Sequence, residues 1–412
     1  MEPKQTRIED FDYPLPDERI ARYPLPERDQ SRLLVYRNGQ ITTDQYAGLA
    51  RHLPANSLLI FNNTRVVAAR LLFQNESGAR IEIFCLEPGR EYADITSAML
   101  QKQRVTWKCL VGNAKKWKQE QLVCTIRYQD QTLQLTARKI AQLTDHFEVQ
   151  LHWDAPELSF AELLQIAGLI PLPPYLKREA EPEDANRYQT IYAREEGSVA
   201  APTAGLHFTE KLLQSLTDKN IRYDFLTLHV GAGTFKPVSA ATMQDHDMHA
   251  EFIEIDTSFL ERLTAEKNRI RIAVGTTSLR TLETLYWLGV KVHLQPDLAP
   301  GALTLAQWEV YELQQPDIPA EAAIRALQNW MQQHQLPRLA TKTQLLIVPG
   351  YRFRMISALI TNFHQPRSTL LLLVAAITGD DWRKIYTYAL ENNFRFLSYG
   401  DGSLLWLNDP VI

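Results

Sequence analysis

The stretch Ile270-Arg271-Ile272-Ala273-Val274-Gly275-Thr276-Thr277-Ser278 decides the reading of the fold. Its first five residues form a short, mostly apolar, β-branched run, as a covered strand requires. The run passes through one glycine and three hydroxyl residues into residues 279–288, whose leucines predict a helix. Similar pieces lie on both sides. Residues 58–61 run into Asn62-Asn63-Thr64-Arg65, residues 226–230 into Gly231-Ala232-Gly233-Thr234-Phe235, and residues 359–361 into Asn362-Phe363-His364. Strands at 223–230, 270–274, 345–348 and 358–361 alternate with helical stretches at 210–216 and 279–288, which argues for an open mixed α/β sheet. Ligands of such sheets sit outside the carboxyl ends of the strands, so these four segments are expected to line one crevice.

Between 69 and 153 the texture changes to short alternating segments, such as Arg80-Ile81-Glu82-Ile83-Phe84 and Leu133-Gln134-Leu135-Thr136, with turn signals between them. That pattern predicts a small all-β unit, a barrel or sandwich. The architecture expected is therefore an α/β domain, residues 1–68 and 154–412, interrupted by a β insertion at 69–153. Residues 290–343 stand apart: they open with Pro296, Pro300 and Gly301, and a helix at 320–333 places Ile324, Leu327 and Met331 on one face. They read as a peripheral helical elaboration, dispensable for chemistry.

The 412 residues are 45% hydrophobic and carry 44 basic against 48 acidic side chains, a formal net charge of -4. This describes a globular chain of two or three domains and excludes one whose whole surface is polybasic, so any nucleic-acid site must be regional. The charged start and the absence of an apolar run near the roughly 20 residues a bilayer needs point to a cytoplasmic protein with no membrane partner. Cys85, Cys109 and Cys124 form no C-x-x-C pair and read as small buried hydrophobes.

Candidate chemistry follows from the polar segments. Gly275, Thr276, Thr277 and Ser278 offer a helix N-terminus to a carboxylate or phosphate, with an ordinary cap as the alternative. Gly231 and Gly233 supply a glycine turn but not a dinucleotide fingerprint. Asn362 and His364 join them as donor-binding candidates. His246-Asp247-Met248-His249-Ala250-Glu251 lacks the i, i+4 pairing and third ligand of a metal site, so no metal is expected. Acid–base or orienting roles fall to His249 and Glu251, to His229, and to His207 in its small-residue loop. Lys102, Arg104, Lys108, Lys115, Lys116 and Lys118 are interleaved with Trp107 and Trp117 and free of acids. This is either a polyanion footprint or a solvated face with the indoles packed inward. Arg65, Lys177 and Arg178 would extend an RNA surface.

These segments closely resemble the S-adenosylmethionine:tRNA ribosyltransferase-isomerase family of queuosine biosynthesis. The resemblance is carried by SRLLVY at 31–36, FNNTRVVAARL at 61–71, PLPPYLKR at 171–178, YQTIYA at 188–193 and GSVAAPTAGLHFTEKLL at 197–213. It continues with LHVGAGTFKPV at 228–238, HDMHAE at 246–251, VGTTSLRTLE at 274–283, VPGYRF at 348–353, ITNFHQPRSTLL at 360–371 and FRFLSYGD at 394–401. It implies an α/β domain with an inserted small β-barrel, and ribosyl transfer from S-adenosylmethionine to 7-aminomethyl-7-deazaguanine at the tRNA wobble position, by a monomer, with no cofactor beyond the donor itself. Residues 290–343 depart from the family, where a short connection is expected, and Gln365, Arg367, Gly402 and Ser403 also differ from its usual pattern. Two other readings compete: a paralogue acting on a different acceptor, and an RNA-binding protein without catalysis.

Overall fold

The computed structural model describes residues 2–92, 94–128, 131–143, 146–231, 238, 240–313 and 317–408. Gly233 and most of the turn around it lie outside these residues.

A nine-stranded mixed sheet organises the larger part of the chain. At its centre Ser57–Asn62, buried at every position, pairs in parallel with Arg222–His229 on one side and Ile270–Val274 on the other. Ala358–Asn362 continues the parallel set beyond Ile270–Val274. One flank is closed by Glu251–Asp256 and Arg338–Thr343, both antiparallel. The other adds Gly402–Trp406, Arg32–Arg37 and Gln40–Gln45. The expected mixed α/β sheet is thus present, with its parallel strands pointing their carboxyl ends to one pole.

A separate seven-stranded antiparallel sheet is built from the alternating segments, and its last strand, Gln121–Tyr128, curls back beside Arg70–Gln74. This is the expected barrel-like insertion. Its interior is filled by alternate residues, among them Phe73, Ile81, Trp107, Cys109, Trp117 and Trp153, all buried. The two indoles of the basic stretch therefore pack the core and do not face solvent. Cys85 and Cys109 are buried free thiols, and Cys124 is half-buried. Ser159 and Glu162 form a capping box on the helix Phe160–Ala167, which leads into Gly168–Leu169, paired with Arg70–Gln74. Pairing in this sheet therefore runs on past residue 153.

The structure overturns the reading of residues 290–343 as peripheral. Arg338–Thr343 is an edge strand of the main sheet, and the helix Ala320–Gln333 lies across the long helix Thr276–Leu294. The crossing is so close that a Cβ on Gly289 would sit 2.2 Å from the Ala323 carbonyl oxygen. The apolar stripe Ile324, Leu327, Met331 is buried in the same core as Leu282, Leu285 and Leu288. Residues 345–348, expected as a strand, are buried but join no ladder among the described residues, and side chains serve part of their backbone. Arg280 Nε donates to Leu345 O at 3.0 Å, and Tyr311 Oη donates to Leu346 O at 3.0 Å.

Candidate active site

Three of the four strand ends meet in one cleft: Val230 and Gly231, Gly275 with Thr276 and Thr277, and Thr361 to His364. The fourth is walled off. Asn62 is fully buried and knits two strands together, donating to Leu228 O at 2.9 Å and accepting from Leu228 N at 3.1 Å.

The floor is the glycine turn. Gly275 has φ 90° and ψ 152°, a left-handed conformation that side-chain-bearing residues rarely hold, and serves as N-cap without a side chain. The first amides of the Thr276–Leu294 helix are thus left without a side-chain cap. Ser278 does not join them, since its hydroxyl donates back to Val274 O at 2.8 Å.

Asn362 is held from two directions. Its Oδ1 accepts from Thr203 Oγ1 at 3.0 Å and its Nδ2 lies 3.1 Å from His207 Nε2. His207 itself is buried behind the wall, stacked on the Tyr46 ring at 4.2 Å between centroids, and does not line the cleft. Burial pushes its pKa down to about 3, so the ring is neutral and serves as the acceptor that orients the Asn362 amide. His364 reaches the cleft wall with Nε2 2.9 Å from Thr361 Oγ1, and burial lowers its pKa to about 3 as well.

The segment from His246 to Glu251 forms the opposite wall, with His246, Met248, His249 and Glu251 in the lining. His249 is exposed there. Burial lowers the pKa of His246. Glu251 is paired through its carboxylate with the buried Arg280 guanidinium, which makes it an anchor rather than a free base. Two glutamines fix the loop. Gln307 accepts from Met248 N at 2.9 Å and donates to His246 O at 2.7 Å, and Gln344 donates to Met248 O at 2.9 Å.

His229 is not part of the cleft. Its Nε2 lies 3.4 Å from Glu254 and its Nδ1 3.4 Å from Thr64 Oγ1, at the seam where Thr96 also reaches Glu254. Arg280 and the Tyr175–Ser398 pair, hydroxyls 2.5 Å apart, were not singled out as site residues from the sequence. Arg280 could have been, since it follows Thr277 by three positions and so shares its helix face.

The cations divide into groups. Lys102 and Arg104 are exposed at the start of the Arg104–Gly112 strand, while Lys115, Lys116 and Lys118 are exposed beyond its other end, about 30 Å away at ~3.4 Å per residue. Lys108 is paired with Glu87 at 3.3 Å. Arg65 is exposed beside Glu196. Lys177 is paired with Asp17. Arg178 grips Asp184 with both arms at 2.6 and 2.7 Å and stacks on Tyr23, so its guanidinium is structural.

A profile described as queuosine biosynthesis protein matches residues 8–309 and 319–405. The chain belongs to that family. Its similarity to the S-adenosylmethionine:tRNA ribosyltransferase-isomerase of Halothermothrix orenii is 36% identity over 405 residues, 97% of this chain and 99% of the relative. The crystal structure of an S-adenosylmethionine tRNA ribosyltransferase from Thermotoga maritima matches at 27% identity, covering 96% of this chain and 99% of that one, with a TM-score of 0.45. The family match is interrupted at residues 310–318, inside the segment expected to depart from the family. Among the described residues no three His, Cys, Asp or Glu side chains converge as a metal site, and no helix is long and apolar enough to cross a membrane.

The buried rings make a prediction about pH. Each histidine is protonated in the unfolded chain below its ordinary pKa of ~6.5 but resists protonation when folded, so stability should fall as pH drops from 6.5 toward 3. The loss should approach about 2–3 kcal/mol per ring by pH 4.5. Glu283 opposes it. Burial raises its pKa from 4.5 to about 7, so the folded state gains stability as pH falls between these values. The acid slope of the Glu283→Gln variant in denaturant titrations should therefore exceed that of the unsubstituted protein, and His207→Gln should flatten it. Equal slopes in all three would contradict these assignments.

Proposed function

We propose that this protein transfers and isomerises the ribosyl moiety of S-adenosylmethionine onto 7-aminomethyl-7-deazaguanine at the wobble position of tRNA, acting as a cytoplasmic monomer. Adenine and methionine leave, and epoxyqueuosine remains in the tRNA. The observation that carries the reading is the convergence of three strand ends with the His246–Glu251 wall in one cleft, in a chain that belongs to the family over nearly its whole length.

The donor's sulfonium acidifies the adjacent C5′ hydrogens. A base that removes one gives an ylide, whose electron pair opens the ribose and expels adenine. The amine of the tRNA base then joins the sugar, and methionine departs as the epoxide closes. His249 suits the base, because it is the exposed imidazole of the cleft wall. Asn362, oriented by His207 and Thr203, presents a fixed amide to the reacting sugar. The uncapped amides after Gly275 favour the donor's carboxylate. Incubation with S-adenosylmethionine and tRNA carrying the aminomethyl base, followed by mass spectrometry, tests the reading directly. Free adenine without modified tRNA would indicate another acceptor, and neither product would sink the assignment.

The tRNA body is expected to lie along the inserted sheet, over Arg65, Lys102 and Arg104 and out to Lys115, Lys116 and Lys118. Each phosphate contact releases counterions, so changing the last three lysines together to Gln should reduce the slope of log affinity against log salt by roughly two to three units. Donor binding should be unaffected. A variant with the unaltered salt slope would move the tRNA elsewhere.

A further inference from the structure

We propose that Arg280 and the hydroxyl of Thr277 form the seat of the donor's α-carboxylate, at the N-terminus of the Thr276–Leu294 helix. The proposal rests on the reading of the cleft as an S-adenosylmethionine site and names the residues that hold one end of the donor.

Two independent features meet there. The first is the helix end itself, nineteen residues long, capped by Gly275 with no side chain and opening on the cleft. The second is a pair of orphaned polar atoms. Thr277 Oγ1 and Arg280 Nη2 are both buried and, among the described residues, neither has a hydrogen-bond partner. Both residues line the cleft. They stand one turn apart on one helix face. A buried donor left without a partner is costly, so two such groups on one helix face are a standing penalty that a ligand with acceptor oxygens removes.

The Arg280 side chain is not free to relieve the penalty by turning away. It is only 6% exposed, and its other donors are committed, Nε to Leu345 O at 3.0 Å and Nη1 to the Glu251 carboxylate. Glu251 is thus a positioning residue that holds the guanidinium in place with Nη2 unpartnered.

Geometry then selects the ligand class. The groups on offer are Arg280 Nη2, Thr277 Oγ1 and the amides at the positive end of a helix without a side-chain cap. They suit an anion with two oxygens, one taken by Arg280 Nη2 and the other by Thr277 and the backbone amides. The carboxylate of the methionyl end meets the requirement.

The test compares calorimetric affinities for S-adenosylmethionine and for its decarboxylated analogue, which keeps the adenosine and the sulfonium. The unsubstituted protein is expected to prefer the intact donor about a hundredfold, the range of charge-assisted hydrogen bonds. In Arg280→Gln the preference should collapse to a few-fold while affinity for the decarboxylated analogue is kept, and Thr277→Val should lose several-fold of it. Because Arg280→Gln removes a charged partner from the buried Glu251, Arg280→Gln/Glu251→Gln is measured beside it. Retention of the preference in the double variant and in Thr277→Val overturns the proposal, as does its absence in the unsubstituted protein. Failure to bind either compound would instead overturn the reading of the cleft, and with it the seat.

Discussion

Replacing His249 by alanine is expected to slow adenine release in a single turnover by roughly a hundredfold or more, with donor affinity altered only a few-fold. The reason is positional. His249 stands exposed on the cleft wall, and the loop that carries it is held at three backbone atoms by Gln307 and Gln344. His207→Ala should behave differently. Its ring is buried, neutral and out of reach of a substrate, so its loss frees the Asn362 amide and should appear mainly as weaker donor binding, rescued in part by His207→Gln. The pH profile of the chemical step separates the two roles, because only the His249 variant should lose the limb that reports a base. If His207→Ala erased that limb and His249→Ala left it, the assignment would be reversed.

A shortened chain joining Gly289 to Thr343 through a brief linker is expected not to fold. It would remove the edge strand that pairs with Glu251–Asp256 and the helix whose Ile324, Leu327 and Met331 share the core of the Thr276–Leu294 helix. Each such buried side chain is worth about 1.5–3 kcal/mol of burial, against a total stability of only about 5–15 kcal/mol. A milder change isolates the second role of the segment. Gln307→Ala should leave the melting temperature nearly unchanged but lower single-turnover activity about tenfold, by releasing the loop at His246 and Met248. Folded, fully active shortened protein would refute both statements.

The fold was legible where one strand and one turn suffice to declare it. The run through Gly275 announced a strand feeding a helix, and the alternation around Ile81 and Ile83 announced a half-buried antiparallel sheet. What escaped was decided by partners distant in sequence. Arg338–Thr343 is an ordinary polar edge strand that only Glu251–Asp256 makes recognisable. Residues 345–348 read as a strand because they are apolar, yet Arg280 and Tyr311 take the backbone bonds a ladder would have used. The site shows the same division. Gly275, Thr276, Thr277, Asn362 and His364 could be placed at the cleft from strand ends alone, whereas His249 precedes its strand, Glu251–Asp256, and only the folded chain brings it there. Whether a histidine faces the cleft or lies behind it depends on Tyr46 for His207 and Glu254 for His229. No local pattern carries that information.

The central strand Ser57–Asn62 has a consequence for the order in which the molecule is assembled. Both of its neighbours, Arg222–His229 and Ile270–Val274, are encoded far downstream, with the inserted sheet between. At a ribosomal pace of about 5–20 residues per second, the first neighbour follows after roughly ten to thirty seconds. During that interval Ser-Leu-Leu-Ile-Phe-Asn, destined to be buried at every position, has no edge to pair with, while the inserted sheet behind it can already close on itself. The nascent chain thus carries a finished module trailing an unpaired apolar strand. That strand, rather than any part of the active cleft, is where misassembly or chaperone capture should begin.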